Sequence, residues 1–162
     1  MIILNGKETL SQLYEEFESA RADSFDNWRL TRGVYDHGED GGGVGHVDIF
    51  TVTGDVMAKV IGVCETTVTE GAATSNMSLG TEDDPAVLIP STPSATLEAE
   101  EIWHDATPAE KAEKVDIYGE TAFITNGQDI RLTIADEDIS AGKINFYCFW
   151  KPLSPNGNVA AA

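Results

Sequence analysis

A histidine-x-aspartate pair is the arrangement in this chain that comes closest to catalytic chemistry. His46 and Asp48 are separated by one residue, and His104 follows later in the chain. Two imidazoles and one carboxylate form the facial site of non-haem iron oxygenases. His46, however, directly follows a glycine-rich stretch that offers no rigid platform for a ligand, and no arginine lies between His104 and Arg131 to anchor an acidic cosubstrate. We therefore expect the pair to lie on the surface without iron.

The remaining reactive side chains show no catalytic spacing. No Gly-x-Ser-x-Gly elbow is present, and the glycine-rich residues 38–45 lack the Lys-Ser/Thr that completes a phosphate-binding loop. Cys64 and Cys148 have no Cys-x-x-Cys spacing, so two free buried thiols are expected. Acidic residues 83–84 and 136–138 suit solvated turns better than calcium sites, because neither group matches an EF-hand loop. The sequence thus predicts no catalytic residue, no cofactor and no metal site.

The charge balance is strongly acidic. Lysine and arginine together number 10 against 28 aspartate and glutamate residues, which gives a formal net charge of −18. Such a surface repels phosphate backbones, so nucleic acid is not an expected partner. No apolar run approaches the length of a membrane span, and no membrane partner is expected either.

Two strands near the C-terminus are the clearest elements in the sequence. Around residues 130–134 and 144–150, apolar and polar side chains alternate with the period of two that marks a strand with one buried face. The predicted inward side chains are Ile130, Leu132, Ile134, Ile144, Phe146, Cys148 and Trp150. Asn126-Gly127 precedes the first strand as a turn signal, because both residue types tolerate positive φ.

Short strands recur from residue 46 onward, with turn residues between them. The predicted set is Val47–Thr53, Val56–Thr67, Asn76–Thr81, Ala86–Ile89, Thr96–His104, Asp116–Ile124, Asp129–Ile134 and Lys143–Lys151. About eight such strands predict a mainly β fold, an antiparallel β-sandwich or jelly roll. A single helical turn is also expected at residues 107–112.

The N-terminal third differs in character from this sandwich. A capping pattern and apolar residues at helical spacing predict a helix over residues 10–22, followed by a glycine-rich arm. We expect three parts: a helix and arm at 1–45, a β-sandwich domain at 46–153, and a flexible tail at 154–162. Apolar residues in an arm need a partner to bury them. The expected interface residues are Leu13, Phe17, Phe25, Trp28 and Tyr35.

Several of these segments resemble a family of small structural proteins of tailed bacteriophages. The matching segments are FTVTGDV (Phe50–Val56), KVIGVC (Lys59–Cys64), NGQDIRLTI (Asn126–Ile134), AGKINFYCFWKPLS (Ala141–Ser154) and NGNV (Asn156–Val159). Members of the family are similar in having a GVC strand near the start and an FYC-x-W-x-PLS strand near the end. The likeness spans residues 47–159 and attaches no catalytic residue to the chain.

The resemblance implies a virion protein that is not an enzyme, with the head as its expected location. A capsid decoration protein would bind the major capsid protein or other virion proteins, and we expect a homo-oligomer, with a trimer as the first guess. The acidic surface favours the outer face of the particle, after synthesis in the cytoplasm of the bacterial host. A tail, neck or spike component is an alternative. A carbohydrate-binding module is another, with Trp28, Trp103 and Trp150 as candidate platforms.

Overall fold

The computed structural model describes residues 28–162 of the chain, and these fold mainly into β-strands. In chain order the elements are β1 (Arg29–Asp36), α1 (His37–Asp40), β2 (Gly45–Thr53), β3 (Val56–Glu70), β4 (Asn76–Gly80), β5 (Ile89–Pro93), a 3-10 turn (Ser94–Thr96), β6 (Glu101–Trp103), β7 (Ala109–Glu110), β8 (Ala122–Ile124), β9 (Ile130–Ala135), β10 (Ile139–Pro152) and β11 (Asn158–Ala161). The predicted antiparallel β-sandwich is confirmed.

The strands form two sheets whose order is that of a jelly roll. The front sheet runs β1-β10-β3-β6-β7, with β8 also paired to β3, and the back sheet runs β11-β2-β9-β4-β5. Apart from the short β7 and β8, the chain changes sheet at almost every step, and β4 and β5 form the hairpin that stays within the back sheet. This alternation places β1, β10, β3 and β6 in one layer and β2, β9, β4 and β5 in the other, as in a double Greek key, with β11 added beside β2.

The core lies between the two sheets and is built from the alternation of each strand. All seven inward side chains predicted on β9 and β10 are buried, none with more than 3% of its surface exposed. Trp103 of β6 packs on Phe146 of β10 with ring centroids 6.2 Å apart, and its indole N–H donates to Thr92 Oγ1 at 3.0 Å. The predicted turn before β9 is also present, because Asn126 and Gly127 have φ of 61° and 66°.

The prediction of an arm over residues 1–45 is wrong from residue 29 onward, because β1 belongs to the sandwich. All eight residues of β1 pair with β10, and Tyr35 is fully buried. The glycine run is a docked connection: Ile139 N–H donates to Gly42 O at 2.7 Å, and a Cβ on Gly42 would lie 2.0 Å from Ile139 O. The predicted helix at residues 10–22 lies outside the described residues.

The predicted tail at residues 154–162 is also wrong. Asn158–Ala161 form β11, which pairs with β2, and Val159 contributes to the core. The expected helical turn at residues 107–112 is replaced by β7, and the strands expected at 86–89, 96–104 and 116–124 occupy the ranges of β5, β6 and β8 instead. Among the described residues, no helix is long and apolar enough to cross a membrane.

The two cysteines lie on neighbouring strands of the front sheet and remain free thiols. Cys64 is opposite Ile144, whereas Cys148 is opposite Val60. This four-residue offset separates them by about 13 Å along the strands. A disulfide needs Cα atoms within about 7 Å, so the native sheet cannot accommodate one.

Candidate functional site

A buried lysine marks the outer side of the front sheet. Val56, Ala58 and Val60 of β3 point into the core, so Lys59 must point outward, yet its side chain is fully buried. An unpaired ammonium group in such a position is costly. Here Lys59 Nζ bonds to the carboxylate of Glu120, which lies just before β8 in the long connection from β6. That connection covers the lysine and supplies its counter-charge.

The same carboxylate also holds a buried histidine. His104 follows β6 directly and is 4% exposed. Its Nδ1 lies 3.1 Å from Oε2 of Glu120. Its Nε2 lies 3.1 Å from Oε2 of Glu113 but makes no aligned hydrogen bond. Both ring nitrogens of the imidazole therefore lie beside a carboxylate, and only Nδ1 is satisfied by a hydrogen bond.

Asp105 completes this group, which we name the histidine cluster: Lys59, His104, Asp105, Glu113 and Glu120. Oδ1 of Asp105 accepts hydrogen bonds from the backbone N–H and hydroxyl of Thr107, at 2.7 and 2.8 Å. One ligand atom from each of His104, Asp105 and Glu113 lies within 4.8 Å of the others. An imidazole and two carboxylates at this spacing match the ligand types of a divalent metal site.

Electrostatics keep the two carboxylates beside His104 ionised. Burial alone would raise the pKa of Glu120, but the hydrogen bond and charge of Lys59, and then those of His104, lower it below its ordinary value. Burial would also raise the pKa of Asp105. The hydrogen bonds from Thr107, and then the charges of His104 and Lys59, outweigh burial and lower this pKa below its ordinary value. Ionised carboxylates are the form that binds a cation.

A cavity of about 390 Å³ opens beside the cluster. Its lining includes His104, Asp105 and Glu120, together with Val87 and Leu88 from the turn between β4 and β5 and Pro90 of β5. Its polar lining consists of the imidazole of His104, the carboxylates of Asp105 and Glu120, and Thr121.

The outer side of the front sheet carries an apolar surface next to this cluster. Strand register places seven apolar side chains on that side, in rows that run across β1, β10, β3 and β6. We name them the outer apolar face: Leu30, Val34, Ile61, Val63, Ile102, Tyr147 and Phe149. Leu30 and Val34 are 42% and 47% exposed, and the other five are half-buried.

The structure does not assemble the histidine-x-aspartate site. His46 lies on β2 of the back sheet and lines a separate surface cavity of about 470 Å³. Asp48 forms an ion pair with Arg131, whose Nε is 3.0 Å from Oδ1. His104 belongs instead to the cluster on the front sheet. The acidic residues 83–84 and 136–138 mostly accept hydrogen bonds at turns, as from Gln128 to Asp83 and from Val44 N–H to Asp138.

The predicted interface residues differ in burial and in their contacts. Tyr35 cannot serve, because it is fully buried and its hydroxyl donates to Gly41 O at 2.9 Å. Trp28 is half-buried, with Tyr118 6.1 Å away in an edge-on contact and Lys151 Nζ 5.2 Å from its ring centroid. Leu13, Phe17 and Phe25 lie outside the described residues. Trp103 and Trp150 are buried in the core and cannot be platforms for a sugar.

Sequence reasoning missed the histidine cluster for a clear reason. Its members come from one strand and from a connection of irregular structure, so no fixed spacing links them. Two local signals were present: a lysine inside the apolar run of residues 56–64, and His104-Asp105 directly after the buried Trp103. A charged residue within a buried strand predicts a partner elsewhere in the chain.

Comparison with known proteins adds no relative. Because no relative indicates a function, the features that bear on function are the outer apolar face and the histidine cluster. No known protein family, curated protein or solved structure with which the chain was compared matches it.

Proposed function

We propose that this chain is a non-enzymatic structural protein of a tailed-phage virion, a capsid decoration protein that binds the shell through the outer apolar face. The observation that carries the proposal is an apolar surface on the outside of a sheet whose inside already forms a complete core. The sequence resemblance to phage structural proteins supports the same class.

The outer apolar face is arranged to bind a flat protein surface. Leu30 is opposite Phe149, Tyr147 is opposite Ile61, and Val63 is opposite Ile102. Facing residues in a sheet point to the same side about 5 Å apart, so these pairs form one continuous surface. The face of an antiparallel sheet that is in contact with water usually carries polar residues. A contiguous apolar patch of this kind marks an interaction site.

The fold supports a structural role by analogy. Jelly rolls occur in viral capsid proteins, lectins and cupins. Those that carry a ligand within the roll need an open interior, whereas large side chains fill the space between the two sheets here. Among these are Tyr35, Phe50, Trp103 and Phe146. Fold alone does not assign function, but a filled interior fits a building block better than a ligand carrier.

Charge supports the outer side of the particle as the location. The formal net charge of −18 disfavours contact with packaged DNA. Beside the outer apolar face, Lys143 is already paired, since its Nζ lies 3.2 Å from Glu65 and 4.0 Å from Asp36. Arg32 is an exposed cation on the same side of β1, opposite Tyr147. Attachment would then depend mainly on buried apolar area, with a contribution from the charge of Arg32. A homotrimer on the head is the proposed assembly, and the tail, neck or spike is the alternative place.

A matched pair of substitutions tests this attachment. Val34→Glu places a charge on the outer apolar face, and Val44→Glu places the same charge on a valine beside the back sheet that is 58% exposed. Each purified variant would be mixed with heads of the encoding phage assembled without this chain, and bound protein would be measured by co-sedimentation. Val34→Glu should weaken binding about tenfold or more, since a carboxylate that is buried by the partner without a counter-charge is costly.

Two results would overturn the proposal. Wild-type protein that does not sediment with heads and is absent from purified virions would exclude the virion role. Equal binding by the Val34→Glu and Val44→Glu variants would show that attachment occurs elsewhere on the molecule. Circular dichroism of both variants distinguishes lost binding from lost folding.

A further inference from the structure

We infer that His104, Asp105 and Glu113 form a binding site for a divalent transition-metal ion, which fastens the connection between β6 and β8 onto the front sheet. The inference goes beyond the proposed virion role and does not depend on it. It rests on three observations: the state of the His104 nitrogens, the support behind the imidazole, and the position of the ligands in the chain.

The two nitrogens of His104 are in different states. Nδ1 lies 3.1 Å from Glu120 and is hydrogen-bonded, whereas Nε2 is buried, faces Glu113 and makes no aligned hydrogen bond. A buried polar atom without a hydrogen bond is costly and is rare in folded proteins. A cation between Nε2 and the two carboxylates would satisfy it. The lone pair of Nε2 points into the ligand group when Nδ1 carries the proton.

Glu120 and Lys59 supply the support that metal-binding histidines usually have. Such a histidine commonly donates its other N–H to a carboxylate, which sets its tautomer and holds the ring in place. Glu120 occupies that position against Nδ1, and Lys59 in turn bonds to Glu120. Lys59 is fully buried on β3, so the whole arrangement is anchored to the rigid centre of the front sheet.

The ligand types indicate the class of metal. Imidazole nitrogen suits zinc, iron, copper and nickel, while carboxylates also suit manganese, magnesium and calcium. One nitrogen with two carboxylates therefore fits zinc or manganese better than an ion that prefers oxygen alone. Their ligand atoms lie within 4.8 Å of one another, and bonds of about 2.0–2.2 Å need only small adjustments to close around one ion.

The place of the ligands in the chain indicates a structural role for the ion. His104 and Asp105 begin the connection between β6 and β8, and Glu113 lies near its middle. The described part of this connection contains only the two-residue β7 as regular structure. An irregular segment gains little stability from backbone pairing. An ion that joins the start of this connection to its middle compensates for this. Tyr118, which contacts Trp28, lies in the same connection.

Metal titration of the full chain tests the site. Protein stripped with a chelator would be titrated with Zn²⁺ and Mn²⁺ by calorimetry, and its melting temperature followed in parallel. Stoichiometric binding is expected, with a melting temperature that rises by roughly 5–10 °C at about a hundredfold excess over Kd. The visible absorption of bound Co²⁺ would report the coordination number of the ion.

Two variants of equal charge change provide the control. Glu113→Gln removes a ligand, and Glu110→Gln removes a nearby carboxylate that is 62% exposed and pairs with Lys111. Glu113→Gln should lower metal affinity about tenfold or more, and Glu110→Gln should leave it within about twofold. If both variants weaken binding equally, the cation is attracted diffusely by the acidic surface, and the site is refuted.

A second result would also refute the site. His104 could instead be a charged imidazolium ion held between Glu113 and Glu120. In that case the stripped protein would show no saturable binding of Zn²⁺ or Mn²⁺, and Glu113→Gln would lower the melting temperature in the absence of any metal. The absence of saturable binding refutes the site, and the lower melting temperature then assigns the cluster to ion pairing alone.

Discussion

At the scale of single residues, the alternation of β10 decides which side chains matter for stability. Phe146 and Phe149 lie three positions apart on the same strand but face opposite sides of the front sheet. Phe146 is fully buried against Trp103, whereas Phe149 is half-buried on the outer apolar face. The same residue type therefore has a packing role at one position and a surface role at the other.

Substitution of these two phenylalanines measures that difference. Phe146→Ala should lower the free energy of unfolding by about 3–5 kcal/mol, because it leaves a cavity in the core. Phe149→Ala should cost less than half as much, because water and neighbouring side chains can fill the space. Urea denaturation of both variants gives the comparison. Equal losses would mean that the outer side of the sheet is as closely packed as the core.

The two thiols should be unreactive in the folded protein. Burial raises the pKa of Cys64 to about 12, with a further contribution from the charge of Glu101, and burial alone raises that of Cys148 to about 12. The reactive form is the thiolate, which is scarce at neutral pH under these conditions. A thiol-reactive dye at about pH 8 should label neither cysteine in native protein and both after unfolding. Rapid labelling of the native state would contradict the burial of either residue.

At the scale of elements, Glu70 ties the end of β3 to the turn after β5. Its pKa is lowered, first by the hydrogen bond from Ser94 Oγ at 2.7 Å and then by that from Ser75 N–H at 3.1 Å. A carboxylate whose pKa is lower in the folded state stabilises the fold above its unfolded pKa. This stabilisation is lost as the pH falls below about 4.5, toward the folded pKa.

The Glu70→Gln variant makes this contribution visible. At about pH 6 the variant should be less stable than the wild type, and the difference should be smaller at about pH 3, because a falling pH protonates Glu70 in a growing fraction of molecules. Unfolding midpoints in urea at the two pH values give the test. A difference that stays constant with pH would show that the carboxylate charge contributes nothing.

The N-terminal boundary is a second test at this scale. Deletion of residues 1–45 removes β1, which covers one edge of β10 and contributes Tyr35 to the core. This truncation should lose cooperative unfolding. Deletion of residues 1–27 should keep it, because every described strand is retained. Circular dichroism during heating compares the two, and cooperative melting of both would contradict the role of β1.

The strength of a local pattern determined which elements could be predicted from the sequence. β9 and β10 alternate cleanly and were predicted with their inward faces, since each has one face in the core. β1 was missed because its RLTRGVYD segment includes exposed apolar residues and a glycine, so polarity does not follow burial. Gly33 allows β1 to pack closely against Ile49 of β2, because a Cβ at this position would lie 2.7 Å from the Ile49 side chain. The histidine cluster depends on tertiary contacts that no local pattern reports.

At the scale of the whole molecule, the net charge of −18 should make stability depend on salt. Like charges spread over one surface repel each other and destabilise the compact state. Salt shortens the range of this repulsion from about 30 Å at 0.01 M to about 8 Å at 0.15 M. The melting temperature should therefore rise over this range of sodium chloride. A fall would mean that ion pairs such as Asp48–Arg131 outweigh the general repulsion.

The position of β10 has a consequence for how the chain folds during synthesis. β10 lies between β1 and β3 in the front sheet, so Arg29 pairs with Trp150 and the two strands beside β10 both precede it by many residues in the chain. While the chain is still on the ribosome, β1 and β3 have no strand between them. Contacts over such sequence separations form slowly, and unpaired strand edges promote aggregation in the meantime. The front sheet thus cannot close before β10 has been synthesised, and a chaperone that covers those edges would raise the yield of folded protein.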